Sequence, residues 1–257
     1  MQGAIVGLVV PALCPTLFGY TPNLPAVLLG AVLATGGALI PDLDTLSSTA
    51  TSSFGPVTDL VSRMLRWLSR LAFRLTATRT DRARTKGTHR GLTHTLVFAI
   101  ALGAATAWLA GYGLPAVLAI VFIVSFLALR GLPPVEKNLT DVVTAAAITG
   151  LTWLTVDVSA LPGWWVGAAI GAGALTHTLG DAITDQGVPL LAPIPLGNRT
   201  WRPLGTPRFL RISTGHWVEL KLLLWLNSAA LAVLLINLTP GGHEDLVAIL
   251  GHHQAAA

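Results

Sequence analysis

Charge is the scarcest property of this sequence. Of its 257 residues only 11% are Asp, Glu, Lys or Arg, against 53% hydrophobic, and the mean hydropathy is +0.67. A soluble domain carries about 25% charged residues, so the composition excludes a water-coated globule of this size. Cysteine is almost missing. The single Cys14 rules out an internal disulfide and any cysteine-rich zinc site, and between Leu13 and Pro15 it reads as a small buried apolar residue. No basic stretch precedes the first apolar run, as it would in a cleaved signal peptide. That run is therefore expected to be part of the structure. No long-period repeat or low-complexity tract occurs.

What the chain does have is apolar length. A bilayer core takes roughly 20 apolar residues per helix. Seven runs qualify: Ala4–Phe18, Leu24–Ile40, Thr95–Gly111, Leu114–Leu129, Val142–Val156, Trp164–Leu179 and Leu222–Leu238. Several are short, and Pro11 and Pro15 interrupt the first. The expected fold is all-α, a polytopic membrane protein with six to seven transmembrane helices in a single domain, residues 1–257. The net charge is +4 and the pI about 9.8, but the basic residues cluster in loops. Positive-inside bias explains them without nucleic acid. The insertion at about residues 45–93 holds Arg63, Arg66, Arg70, Arg74, Arg79, Arg82, Arg84, Lys86 and Arg90 against Asp59 and Asp81. The loop at about residues 180–221 holds Arg199, Arg202, Arg208, Arg211 and Lys221. The connections at 111–113 and 157–163 hold no Lys or Arg. One topology satisfies every loop, with both basic segments and the N-terminus in the cytoplasm and the C-terminus outside.

Within the first basic segment, Val57–Thr76 has helical amphipathic spacing. Arg63, Arg66, Arg70 and Arg74 form one stripe, and Leu60, Met64, Leu65, Leu68, Leu71 and Leu75 lie on the opposite side. That predicts a helix in the headgroup region, with membrane lipids as partner. Most of the eight Trp residues lie near expected interfaces, as belt residues do.

Three polar clusters break the apolar pattern. They are Pro41-Asp42-Leu43-Asp44, His89-Arg90-Gly91-Leu92-Thr93-His94, and His177-Thr178-Leu179-Gly180-Asp181. Each adjoins an apolar run, and the expected topology puts all three at the cytoplasmic boundary. Ionisable groups at the edge of membrane helices are costly and are retained for a function or a partner. His177 and Asp181 are four apart, so on a helix they share a face. Asp42 and Asp44 can offer oxygens from a helix-terminal turn, and His89 and His94 flank a glycine turn. Mixed imidazole and carboxylate donors suit Zn²⁺, and also Mn²⁺ or Fe²⁺. The metal-ligand candidates are Asp42, Asp44, His89, His94, His177 and Asp181. Leu92-Thr93-His94-Thr95-Leu96 is echoed by Leu175-Thr176-His177-Thr178-Leu179, on the same expected side. Glu219 could approach from that side as well, whereas His243, His252 and His253 fall in a tail expected outside.

At these residues the chain resembles the YdjM-like family of predicted membrane-bound metal-dependent hydrolases. The matching strings are Gly37–Asp44, His89–Thr95, His177–Thr184 and Gly187–Leu191. The resemblance implies a multi-helix membrane protein with those six residues as metal ligands, and a distant likeness to zinc-dependent phospholipase C and related helical phosphoesterases. Members of that family usually carry a further His near the N-terminus, and Met1-Gln2-Gly3-Ala4-Ile5 has no counterpart.

The leading expectation is therefore a metal-dependent hydrolase of the inner membrane acting on a phosphoester or phospholipid. A divalent ion, zinc favoured, would be its cofactor. Asp44 or Asp181 would serve as base, and Arg90 would hold an anionic oxygen. A metal or proton transporter would instead place its ionisable groups along a mid-membrane path. A structural membrane protein would use the metal only to join helices.

Overall fold

The computed structural model describes residues 24–45, 56–84, 90–131, 139–158 and 160–207. All regular structure among them is helical: α1 (Leu24–Gly37), α2 (Pro56–Thr76), α3 (Arg79–Arg84), α4 (Leu96–Ala110), α5 (Leu114–Arg130), α6 (Leu139–Thr155) and α7 (Gly163–Ala182). Short 3-10 turns at Pro41–Asp44 and Leu92–His94 precede the basic segment and α4. Five of the expected apolar runs correspond to α1 and α4–α7, and the amphipathic run to α2. The runs Ala4–Phe18 and Leu222–Leu238 lie outside the described residues, as do His89, Glu219 and the C-terminal histidines.

The second apolar run does not continue as one α-helix to Ile40. Beyond Gly37 the backbone tightens: the N–H groups of Leu39, Ile40 and Leu43 donate to the carbonyls of Gly36, Gly37 and Ile40. This i→i+3 winding ends in the turn headed by Pro41, whose missing N–H costs nothing at a first helical position. By length and composition, the stretch Pro25–Asp44, with mean hydropathy 1.8, can cross a membrane. Helices α4, α5 and α6 are apolar but shorter, at 15, 17 and 17 residues.

Helix α7 is central. It packs on α4 and on α1, α1 packs on α5, and α5 on α6. The core between them contains Leu33, Val121, Trp165, Val166, Ala169 and Ile170, all fully enclosed. The α4–α7 contact has almost no side chain in it. A Cβ added to Gly163 would meet the Ala107 carbonyl at 2.8 Å, one on Gly171 would meet the Ala99 carbonyl at 2.9 Å, and one on Gly167 would run into the Gly103 carbonyl. Two four-residue ladders of small residues thus run antiparallel, backbone against backbone, as in membrane helix pairs where close packing replaces the hydrophobic drive. Gly173 abuts the Ala34 carbonyl and Gly36 that of Val124 in the same way, so α1 is drawn close on both sides. Large apolar side chains face outward: Ile100, Trp108, Leu151, Trp153 and Leu154 are each at least 60% exposed. Arg130 at the end of α5 lies 3.4 Å from Asp141 near the start of α6.

A methyl group at position 167 has no space without parting α4 from α7. Gly167→Ala should cost about 1–3 kcal/mol through overpacking. Gly150 on α6 has nothing within 4 Å of its added Cβ, so Gly150→Ala should instead gain about 0.5–1 kcal/mol from helix propensity. Thermal unfolding of the two detergent-solubilised variants beside wild type checks both signs. Equal effects would mean that the ladder does not set the helix spacing.

Candidate metal centre

The antiparallel ladder fixes what meets at its end. Stepping from Gly163 to Gly171 along α7 matches stepping from Ala107 back to Ala99 along α4. Continuing toward the α7 C-terminus brings His177 to the turn that opens α4. That turn is held by Thr95, which N-caps α4: its hydroxyl accepts from Phe98 N–H at 3.1 Å and donates to the Leu92 carbonyl at 2.7 Å. His94, immediately before the cap, is thereby directed inward and is fully buried. The third contributor is the Pro41–Asp44 turn after α1.

Three ligand atoms converge from these three elements. Asp42, His94 and His177 each offer one, and all lie within 4.8 Å of one another. His177 Nε2 is 3.4 Å from Asp42 Oδ1, and His94 Nε2 is 3.9 Å from the same oxygen. The two imidazole rings sit edge to face, with centroids 5.4 Å apart. Donors at about 2.0–2.2 Å from a tetrahedral zinc are roughly 3.3 Å from each other, so the spacing approaches that of a ligand set. The chemistry agrees. His177 Nε2 is buried and lacks hydrogen-bond alignment with the carboxylate beside it, and two imidazole nitrogens with one carboxylate oxygen suit zinc, manganese or iron.

Asp44 occupies a different place. Its side chain is fully enclosed on the far side of the His94 ring, 3.8 Å from Nδ1. It accepts hydrogen bonds from the hydroxyls of Thr93 at 2.6 Å and Thr45 at 3.0 Å. The Thr93 hydroxyl proton is committed to Asp44, so Thr93 Oγ1, 3.0 Å from His94 Nδ1, is placed to accept from it. The proton then belongs on Nδ1, and Nε2 presents its lone pair toward Asp42. This is the carboxylate-supported imidazole of metal sites, with a hydroxyl inserted.

Asp181, one turn beyond His177, lies 3.3 Å from His94 Nε2 and 2.9 Å from Arg90 Nε. Arg90 Nη1 also donates to the Thr184 hydroxyl at 2.8 Å. Arg90 has φ of 54°, a left-handed conformation uncommon outside glycine. Its two side-chain partners hold the chain there. Among the described residues, three carboxylates and one guanidinium give this pocket an excess of two negative charges with both imidazoles neutral, the balance a divalent cation supplies.

The frame around the pocket depends on a residue absent from the site expectations. Asp81 on α3 is fully buried and is met by the Thr78 hydroxyl at 2.9 Å, Thr200 N–H at 2.9 Å, Trp201 N–H at 3.3 Å and Arg199 Nε at 3.1 Å. Trp201 in turn donates to Thr76 at 2.9 Å and packs on Phe73. These contacts lock α2 and α3 to the segment after α7, which returns through Thr206 N–H to the Ala182 carbonyl. Burial acts to raise the Asp81 pKa, but the donors from Thr200, Thr78 and Arg199 outweigh it and hold the carboxyl well below the usual range. Thr93 and Asp81 could not be singled out in the sequence. Thr93 had only its place beside His94 as a signal, and Asp81 only its isolation among arginines.

The echoed pentapeptides have different structures. Leu92–Leu96 is a 3-10 turn and helix cap, whereas Leu175–Leu179 is mid-helix, with the Thr176 hydroxyl bonded back to the Ala172 carbonyl. What they share is a histidine delivered to one point.

A depressed carboxylate pKa stabilises the fold fully above the unfolded value of about 4 and less as the pH falls toward the folded value. Asp81→Asn, which sets an amide against converging donors, should therefore cost about 3 kcal/mol at neutral pH. The difference from wild type in unfolding midpoint should shrink below about pH 4. An unchanged difference under acid would mean that the charge of Asp81 is not what secures the loop.

A family model described as YdjM inner membrane protein matches residues 2–242 of the chain. No curated protein and no solved structure matches.

Proposed function

Because the chain belongs to the YdjM inner membrane protein family, we propose that it is a polytopic membrane hydrolase using a divalent metal, zinc before manganese or iron, to cleave a phosphoester at the cytoplasmic face. A phospholipid or lipid-linked phosphate is the substrate class. The observation that carries this reading is the convergence of Asp42, His94 and His177 from three separate elements. The small-residue packing and the outward Ile100, Trp108, Leu151, Trp153 and Leu154 support the membrane setting. The arginine-rich segments support the cytoplasmic side.

In this reading Asp42, His94 and His177 hold the ion, with His89 as a further ligand candidate and Asp181 left out of the ligand set. Bound there, a divalent ion would supply Lewis acidity and a nucleophilic water at neutral pH. Asp44 and Thr93 keep His94 in the tautomer that presents Nε2. Of the two carboxylates considered as base, Asp44 is enclosed, whereas Asp181 retains 17% of its side-chain surface. Asp181 is accordingly the group that takes the proton of an attacking water. Arg90 holds that carboxylate in place and offers positive charge to an anionic substrate oxygen.

The test is metal content of detergent-purified protein, followed by phosphoester turnover in liposomes. Wild type should carry stoichiometric metal, and Asp42→Ala and His177→Ala should lose both metal and activity. Asp44→Asn should weaken metal affinity about 10–100-fold while leaving the ligands intact. Stoichiometric metal whose removal lowers thermal stability, without turnover of any phosphoester, would establish a structural joint instead. A metal-free wild type after reloading would end the metal reading.

A further inference from the structure

Helix α2 is built the wrong way round for a helix that packs on a protein. With 3.6 residues per turn, Thr58, Ser62, Ser69, Phe73 and Thr76 share one face, and it is this mostly hydroxyl-bearing face that is turned inward. Ser62 and Ser69 are fully buried and Thr58 is 5% exposed. The opposite face carries Leu60, Met64, Trp67 and Leu75, between 51% and 76% exposed. A surface helix of a globular protein has the reverse arrangement. Two of the inward hydroxyls are engaged across the packing contact: Ser69 Oγ accepts from Leu92 N–H at 2.8 Å and Thr76 Oγ1 from Trp201 Nε1 at 2.9 Å.

Along one border of the apolar face runs the arginine stripe. Arg63, Arg70 and Arg74 are exposed and Arg66 is half-buried. On this helix the only acidic residue is Asp59, engaged by Arg63 at 2.6 Å. An exposed apolar strip flanked by cations complements one surface in particular, an anionic bilayer, with hydrocarbon for the leucines and tryptophan and headgroup phosphates for the guanidiniums.

We propose that α2 is a docking surface for an anionic lipid bilayer, its Leu60–Leu75 face inserted below the headgroups and its arginine stripe at phosphate level. The proposal stands apart from the metal reading, because it uses none of the site residues. Its consequence for the site is positional: the helix that meets the lipid also grips, through Ser69, the turn that carries His94.

The experiment uses full-length protein in lipid nanodiscs. Cys14→Ser removes the native thiol, and a nitroxide is attached at Met64→Cys or Trp67→Cys, both exposed positions on the outer face of α2. Collision with oxygen, which concentrates in hydrocarbon, is compared with collision with a water-soluble nickel chelate. Discs rich in phosphatidylglycerol are set beside discs of phosphatidylcholine alone. The expected result is high oxygen and low nickel accessibility at both positions, deeper in the anionic discs. Replacing Arg70 and Arg74 by Gln should raise nickel accessibility several-fold. Labels open to nickel in both discs overturn the proposal. So do labels closed to both colliders, which would place another protein segment on this face, and depths indifferent to lipid charge.

Discussion

The arrangement depends on the close approach of α7 to α4. Because Gly163, Gly167 and Gly171 bring backbone onto backbone opposite Ala107, Gly103 and Ala99, the two helices cannot slide past one another by a fraction of a turn without collision. Register between them is therefore set by shape rather than by any polar contact. That register puts His177 and His94 at one height. Gly173 and Gly36 do the same for α1, whose terminal turn then delivers Asp42. An aliphatic interface would tolerate repacking, whereas a carbonyl against a glycine Cα does not, so the pocket inherits the rigidity of the ladder.

Placed on that rigid frame, the polar groups form layers. Asp42, His94 and His177 look at one another. Thr93 and Asp44 stand behind His94, and Arg90 and Thr184 stand beside Asp181. Gathering three carboxylates this close together, one of them fully buried, is unfavourable without compensating charge. Arg90 compensates one, at the expense of a backbone conformation that few arginines adopt. The pocket therefore has the electrostatics of a cation site in addition to the donor types of one.

Much of this was legible in the sequence, for identifiable reasons. Apolar runs bounded by glycine and proline mark helices, and five described helices fall on five of those runs. The three polar clusters stood out because ionisable groups are rare in such a chain. The roles within the clusters were not legible. Asp42 and Asp44 are two residues apart in the same motif, and only the handedness of a 3-10 turn turns one toward the imidazole Nε2 atoms and the other behind Nδ1. The amphipathic spacing of α2 was visible too, but periodicity has no sign: it shows that two faces differ, not which of them is turned inward. Asp81 was beyond reach, since all its partners but the neighbouring Thr78 lie about 120 residues away and three of its contacts involve backbone N–H groups, which every residue possesses.

That separation has a consequence for the order in which the protein is made. Asp81 is synthesised 118 residues before Arg199, and at roughly 5–20 residues per second on the ribosome several seconds pass before its distant partners exist. A charged carboxylate cannot leave water until its donors arrive. Throughout that interval Asp81 has only the donors of the neighbouring Thr78, and α3 lacks the return segment it will close against. Helices α4 to α7 have all left the ribosome by the time the clamp can shut. The pocket is thus finished from the back of the chain forward, and a nascent chain halted before Arg199 carries every liganding residue described here without the brace that encloses them.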